Sequence, residues 1–274
     1  MSKLFKRTFF YSRLILLIFY LIGPVLWQSI TSLKSNAILS SLPPILPDRI
    51  FLEHYLNVFV GRPFARIILN SFIVASCTTL YCLSIGILAG FSLSFLKLKG
   101  RNLFLALVLS VSMFPLIATV SPLYLIIRSL GLRDTYLALI FPYATFALPL
   151  SIWILTSFLS EIPDELYKAA QVDGCSQLQT LGKIILPLAA PGVFTTAILV
   201  FIFAWNEFLY ALTFTTTVNS RTIPVAIALF PGLHEVPWGE IAAASIIVTA
   251  PLVLLVFLFQ KRIIAGLTAG SIKG

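Results

Sequence analysis

Six apolar segments, each about as long as a bilayer is thick, leave few folds open to this chain. They run at roughly 13–33, 67–96, 103–127, 136–159, 192–214 and 241–263. A helix needs about 20 mostly apolar residues to cross the hydrocarbon core, where lipid offers no partner for a bare backbone N–H or C=O. Each segment is therefore expected to be a transmembrane helix, giving an all-α membrane protein with a single transmembrane domain over 1–274. Composition agrees, since 11% of the residues are charged against about 25% in a soluble domain. Lys3, Lys6, Arg7 and Arg13 precede the first segment as they would in a secretory signal. Its apolar run is too long for a signal core and no small-residue cleavage site closes it, so it reads as an uncleaved span.

The net charge of +9 raises nucleic acid as a partner. The basic residues instead flank the apolar segments, and their excess reads as topology. With the N-terminus inside and six crossings, twelve of the nineteen Lys and Arg fall on the inner side and seven on the outer. The short basic connection Lys97-Leu98-Lys99-Gly100-Arg101 weighs most in that balance. Both termini and the connection 160–191 are then expected in the cytoplasm. Cys77, Cys82 and Cys175 show neither a disulfide framework nor a metal-ligand spacing.

Pro115, Pro122, Pro142, Pro149 and Pro251 lie inside the expected spans. Each removes a backbone donor and can kink or break its helix, which suits a moving or cavity-lining core as well as a static bundle with irregular packing. Outside, 34–66 is long and holds Pro43, Pro44, Pro47 and Pro63. Within it, 33–46 is expected as an extended linker and 50–60 as a short interfacial helix. The connection 215–240, with Pro224, Pro231, Pro237 and Trp238, is expected to be irregular or partly re-entrant. His54 and His234 are expected at the surface of these two loops.

The polar island Glu161–Pro191 has helix signals of its own. Pro163 suits a first turn, and Asp164 and Glu165 place negative charge at the positive end of the helix that follows. Leu166, Ala169 and Ala170 repeat at i, i+3 and i+4, and Asp173-Gly174 is a stop at which glycine takes the left-handed backbone. Ser176-Gln177-Leu178-Gln179 is a capping-box pattern opening a second helix. Its apolar residues Leu178, Leu181, Ile184, Ile185 and Leu188 recur until Pro187 and Pro191 intervene. From pattern alone, this helix–turn–helix either meets another protein or lies on lipid headgroups.

The island resembles a known family in Ala169-Ala170-Gln171-Val172-Asp173-Gly174, followed by Ile184-Ile185-Leu186-Pro187 and Pro191. It looks like the EAA loop of permease subunits in ATP-binding-cassette importers. Trp205-Asn206-Glu207-Phe208 and the tail Gly266–Gly274 look like the maltose-permease-type subunit of carbohydrate importers. The resemblance implies a type I importer permease fold, with Glu165, Leu166, Lys168, Ala169, Ala170, Asp173, Gly174 and Pro187 coupling the spans to a separate ATPase. It also implies a second permease subunit, two copies of the ATPase and an extracytoplasmic sugar-binding protein. ATP and Mg would be used by the ATPase, with no cofactor bound here; no G-x-x-x-x-G-K-[ST] loop is present. Two departures stand out: Lys168 occupies the position of the family's glutamate, and Cys175 that of an alanine.

Glu207 is the acidic residue expected inside a span, and an intramembrane ionisable group is a functional candidate by default. At about 1.5 Å per residue it sits roughly 22 Å from the inner end of its segment. There, Glu207 and Asn206 would bond sugar hydroxyls beside Trp205, with Tyr143 and Asn70 as further lining; equally, Glu207 would only hold structure. Tyr124, Phe146 and Tyr210 are weaker candidates. A secondary transporter would show inverted repeats and coupling-ion residues, and an intramembrane enzyme a convergent polar set. Neither signature is visible, and no metal site is expected.

Overall fold

The computed structural model of the chain describes residues 3–39, 45–47, 49–60, 62–96, 98–230 and 236–269. Pro43, Pro44, Lys97, Pro231, His234 and the tail from Gly270 lie outside them. Helices form in the order α1 (Lys3–Ser32), α2 (Asn36–Leu39), α3 (Glu53–Val60), α4 (Phe64–Phe95), α5 (Arg101–Ser112), α6 (Leu116–Ser129) and α7 (Leu137–Leu159). Next come α8 (Asp164–Val172), α9 (Gln177–Thr180), a π-helical turn (Leu181–Ile185), α10 (Leu186–Leu188) and α11 (Ala190–Asn206). The last are α12 (Leu209–Phe214), α13 (Ile223–Ala228) and α14 (Trp238–Ala269).

Among the described residues, four helices are long and apolar enough to cross a membrane, within Arg7–Ser32, Phe64–Phe95, Leu137–Leu159 and Trp238–Gln260. Two bent pairs raise the number to six if each is one span: α5 with α6, bent by 86°, and Gln177–Leu188 with α11, bent by 81°. The expected third span, 103–127, is thus not one straight helix. Pro115 sits at the N-cap of α6, where its missing N–H and the restriction it places on Phe114 end α5. The expected fifth span, 192–214, is broken too, because the chain is extended at Glu207 between α11 and α12. By contrast, Pro122, Pro142, Pro149 and Pro251 sit inside continuous helices.

Contacts divide the chain into two compact units. The first comprises Met1–Phe64 and Ile227–Pro251. Here α2 adds a helical turn to what was expected as an extended linker, and α3 lies within the expected 50–60 helix. His54, expected at the surface, is fully buried. Its Nε2 is 2.7 Å from the Lys34 carbonyl, and its ring lies where a Cβ on Gly239 would have to go. A glycine at 239 is what admits the imidazole. Arg62 stacks its guanidinium 4.0 Å from the Phe230 ring centre and pairs with Glu240 at 3.7 Å.

The second unit comprises Ala65–Ala226 and Leu252–Gly274. Within it α7 is the packing centre, with buried residues along its whole length from Ala138 to Leu159. α4 approaches α7 closely through glycine: a Cβ on Gly90 would lie 3.2 Å from the Thr156 backbone nitrogen. Polar side chains fasten the same ends, with Ser94 Oγ donating to Thr156 O at 3.3 Å and Arg101 donating to Ser160 Oγ at 2.7 Å. α11 meets α7 at Gly192, where a side chain would overlap the Cβ, Cγ and Cδ2 of Phe158. Overpacking of this kind costs about 1–3 kcal/mol. Gly192→Ala should therefore lower the melting temperature of the detergent-purified protein, and Phe158→Ala, which removes two of the three overlapping atoms, should add less than its own separate loss. A melt of Gly192→Ala identical to wild type would refute this close approach.

Candidate functional site

The polar island folds as its sequence signals predict at both turns. Asp164 and Glu165 occupy the first turn of α8 behind Pro163 at the N-cap. Gly174 is left-handed, with φ of 81°. Its N–H reaches Gln171 O at 3.1 Å, and that of Cys175 reaches Ala170 O at 3.0 Å, which closes the helix as a Schellman motif. Ser176 and Gln179 form the reciprocal capping box, with Ser176 N donating to Gln179 Oε1 at 2.9 Å and Gln179 N to Ser176 Oγ at 3.3 Å. Beyond it, Pro187 cannot donate to Lys183 O, nor Pro191 to Pro187 O. The π-helical turn and the 81° bend into α11 lie there.

The faces of α8 divide differently from the expected grouping of Leu166, Ala169 and Ala170. Ala170 and Tyr167 turn inward, whereas Leu166 and Ala169 are exposed. Tyr167 sets this rotation, because its ring stacks on Phe95 at 5.2 Å and meets Phe91 edge-on at 5.9 Å. Gln171 Nε2 donates to its hydroxyl at 2.7 Å. Leu181, Ile185, Leu159 and Ala189 complete the apolar cluster beneath. The opposite stripe carries Glu165, Lys168, Ala169 and Val172, the last 88% exposed. Of the second-helix residues, Leu181 and Ile185 are buried while Leu178 and Leu188 are exposed. Lys168 is engaged within its own helix, 2.8 Å from Asp164 one turn back. The hydrogen bond and negative charge of Asp164 raise its pKa.

At the far end of α11, Trp205 and Glu207 are buried while Asn206 between them is exposed. Trp205 stacks on Phe201 at 5.6 Å, and Asn206 Nδ2 donates back to Ile202 O at 2.8 Å. Glu207 takes a structural position that the sequence left as one of two options. Its carboxylate accepts from the N–H groups of Tyr210 at 2.9 Å and Ala211 at 3.2 Å, satisfying the start of α12 after the break. Tyr143 is buried beside Glu207 and Thr222, and neither its hydroxyl nor Thr222 Oγ1 has a hydrogen bond of good geometry. Tyr210 links the ring candidates, packing on Phe146 at 5.9 Å, Tyr143 at 6.5 Å and Phe214 at 5.4 Å, while Tyr124 stacks on Phe214 at 6.5 Å.

Asn70 is a clamp. It donates to Val218 O and Arg221 O, both at 2.9 Å, and accepts from Tyr136 at 2.7 Å. Beside it Ser71 accepts from Ile223 N at 2.8 Å. The expected irregular connection is therefore ordered through α13. Sequence reading missed Asp134, which holds the same loop from the other side. In a left-handed turn with φ of 62°, its carboxylate takes bonds from Thr216 N, Thr217 N, Thr217 Oγ1 and Ser220 Oγ at 2.6–3.0 Å. The one local hint was Leu132-Arg133-Asp134-Thr135 after Gly131, a turn in which aspartate tolerates positive φ. Tyr167, the anchor of α8, carried no period-based signal beyond its spacing from Ala170.

The fold is that of a multi-span helical membrane protein, and the chain belongs to the family of binding-protein-dependent transport system inner membrane components, matching it over residues 83–268. It is a multi-pass protein of the cytoplasmic membrane and a permease component of ATP-binding-cassette importers. Among its relatives it is 45% identical to the trehalose/maltose transport system permease protein MalG of Thermococcus litoralis, over 100% of this chain and 99% of that one. It is 43% identical to the trehalose transport system permease protein SugB of Mycobacterium tuberculosis, over 94% and 95% of the two chains. In fold it resembles a chain of a bacterial ABC transporter involved in import of the acidic polysaccharide alginate, with TM-score 0.78, 22% identity, and 95% and 98% coverage.

Burial is the largest single influence on the Asp134 carboxyl and pushes its pKa up, but the bonds from Ser220, Thr217 and Thr216 together outweigh it and hold the pKa well below the usual range. For a depressed carboxylate, the stabilisation is fully present above the ordinary aspartate pKa of about 3.9 and is lost as pH falls through the folded value. The melting temperature of the purified protein should thus fall between about pH 5 and pH 3 by more in wild type than in Asp134→Ala. Equal acid sensitivity in the two would show that this carboxylate does not latch the loop.

Proposed function

We propose that this chain is the transmembrane subunit of an ATP-driven importer that moves a sugar or small oligosaccharide across the cytoplasmic membrane. The observation that carries the proposal is α8: a short helix anchored from below by Tyr167 on Phe95 and presenting Ala169 and Val172 outward. The names of the relatives, with trehalose and maltose among their cargoes, support the substrate class. In this reading the whole chain acts as one permease domain of six spans, with both bent pairs counted and both termini cytoplasmic. It pairs with a second permease subunit and works with two copies of an ATPase and an extracytoplasmic binding protein. Hydrolysis belongs to the ATPase.

The mechanism follows from how stiffly α8 is held. Glu165, Leu166, Lys168, Ala169, Ala170, Asp173, Gly174 and Pro187 form the coupling element. Leu166, Ala169 and Val172 would enter a cleft on the ATPase, while Tyr167 and Ala170 pass its displacement to α4 and α7 as a rigid body. Lys168 has Asp164 as a charge partner within its own helix, an exposed pair that contributes little to stability. In the outer half of the membrane, Glu207 and Asn206 lead the substrate path, with Tyr143 beside them. Trp205 and Asn70 support it by holding α11 and the outer loop in place.

Val172 is exposed, so Val172→Asp should leave folding intact while sugar uptake by the assembled transporter falls about tenfold or more, as expected for loss of an interface anchor. Gly174→Leu forces a side chain into the left-handed region, at about 1 kcal/mol, and should uncouple ATP hydrolysis from uptake while the subunit still reaches the membrane. Wild-type uptake in both variants would remove α8 from the coupling role. For the substrate path, Glu207→Gln keeps one of the two acceptances, from Tyr210 or Ala211, and turns an amide nitrogen toward the other N–H. Unchanged uptake and unchanged sugar-stimulated ATPase activity in that variant would leave Glu207 a helix cap alone.

A further inference from the structure

Between the end of α4 and the start of α5 lies a cavity of about 260 Å³ whose lining divides by chemistry. Its surface is almost entirely apolar, with Ala89 and Leu93 beside the half-exposed Leu98 and Phe104. Ser92 also lines it, but its hydroxyl is engaged with Leu88 O at 2.9 Å. Lys99 and Arg101 line it as well, and no acidic residue does. Among the described residues neither cation forms an ion pair. Arg101 instead donates to Ser160 Oγ at 2.7 Å, immediately before the island. Gly100, left-handed with φ of 81°, makes the turn that brings Lys99 and Arg101 to the same cavity.

We propose that this cavity binds an anionic phospholipid of the inner leaflet, with the phosphate between Lys99 and Arg101 and the start of one acyl chain along Ala89, Leu93 and Phe104. Two features select this occupant. A free anion would be served by the cations and gains nothing from an apolar floor, and a neutral lipid would fill the floor while leaving both charges uncompensated. An amphiphile with an anionic head matches both, and a basic pocket between helices at the cytoplasmic edge is where such a headgroup is met. Neighbouring Leu88, Leu103 and Leu107 are exposed, as lipid-facing residues would be. Through Arg101 and Ser160 the bound lipid would brace the end of α7 from which the island emerges. The leaflet assignment rests on the inward orientation proposed above, whereas binding itself rests on the cavity alone.

The test is native mass spectrometry of the assembled transporter, titrated with phosphatidylglycerol or phosphatidylcholine of identical chains. Phosphatidylglycerol should be retained preferentially by wild type. Retention should fall about fivefold in Lys99→Gln and about 25-fold when Arg101→Gln is added, at roughly one headgroup charge contact each. Ala89→Phe, which fills the floor and keeps both charges, should lower retention of phosphatidylglycerol too. Orientation is read separately by labelling Leu98→Cys with a membrane-impermeant maleimide in a background lacking Cys77, Cys82 and Cys175. Labelling confined to inside-out vesicles supports the inner leaflet, and labelling confined to right-side-out vesicles overturns that assignment without touching binding. Three results overturn the lipid site: an unchanged preference in the double variant, full displacement by millimolar inorganic phosphate, or crosslinking of residue 98 to the second permease.

Discussion

A backbone inside a bilayer must bond to itself, and the break between α11 and α12 is governed by how it meets that demand. The straight spans meet it by i→i−4 bonding along α4, α7 and α14. Where the chain departs from a helix, a side chain or a cap takes over. At the break after α11, Glu207 accepts from Tyr210 and Ala211. In the loop after α12, Asn70 and Asp134 bond from opposite sides. At the island turn the Schellman bonds of Gly174 and Cys175 close α8.

A shortage of apolar area governs how α8 is held. α8 carries charge in its first turn and on its outward stripe, so it has little apolar area with which to hold itself against the spans. Tyr167 and Ala170 supply that hold, with the tyrosine ring packed against both Phe91 and Phe95. An anchor concentrated in one aromatic side chain leaves the opposite stripe free for a partner. It also packs α8 directly against α4 and the end of α7, through Phe91, Phe95 and Leu159.

Much of this was legible from local patterns. The apolar segments, the stop at Asp173-Gly174 and the Ser176–Gln179 capping box depend on residues close in sequence, whose geometry is nearly independent of the rest of the chain. The breaks were harder to place. Pro115 interrupts its helix while Pro122, Pro142, Pro149 and Pro251 do not, and the residues next to each proline do not mark which of them ends a helix. His54 was assigned to the surface because nothing local reveals that residue 239, far along the chain, is a glycine leaving room for its ring.

By itself, the sequence determined the membrane as solvent, the helical class, the caps of the island and the family resemblance that its motifs carry. All of these follow from hydropathy, capping chemistry and spacing over a few residues. Only the tertiary structure decided which face of α8 is outward, which of the polar residues near Glu207 are engaged in bonding, and that Lys99 and Arg101 share an apolar cavity. Those are matters of rotation about a helix axis and of contacts between residues far apart in sequence, 148 positions between Asn70 and Val218 and 59 between Arg101 and Ser160. No local pattern encodes them, because they are set by how whole helices pack.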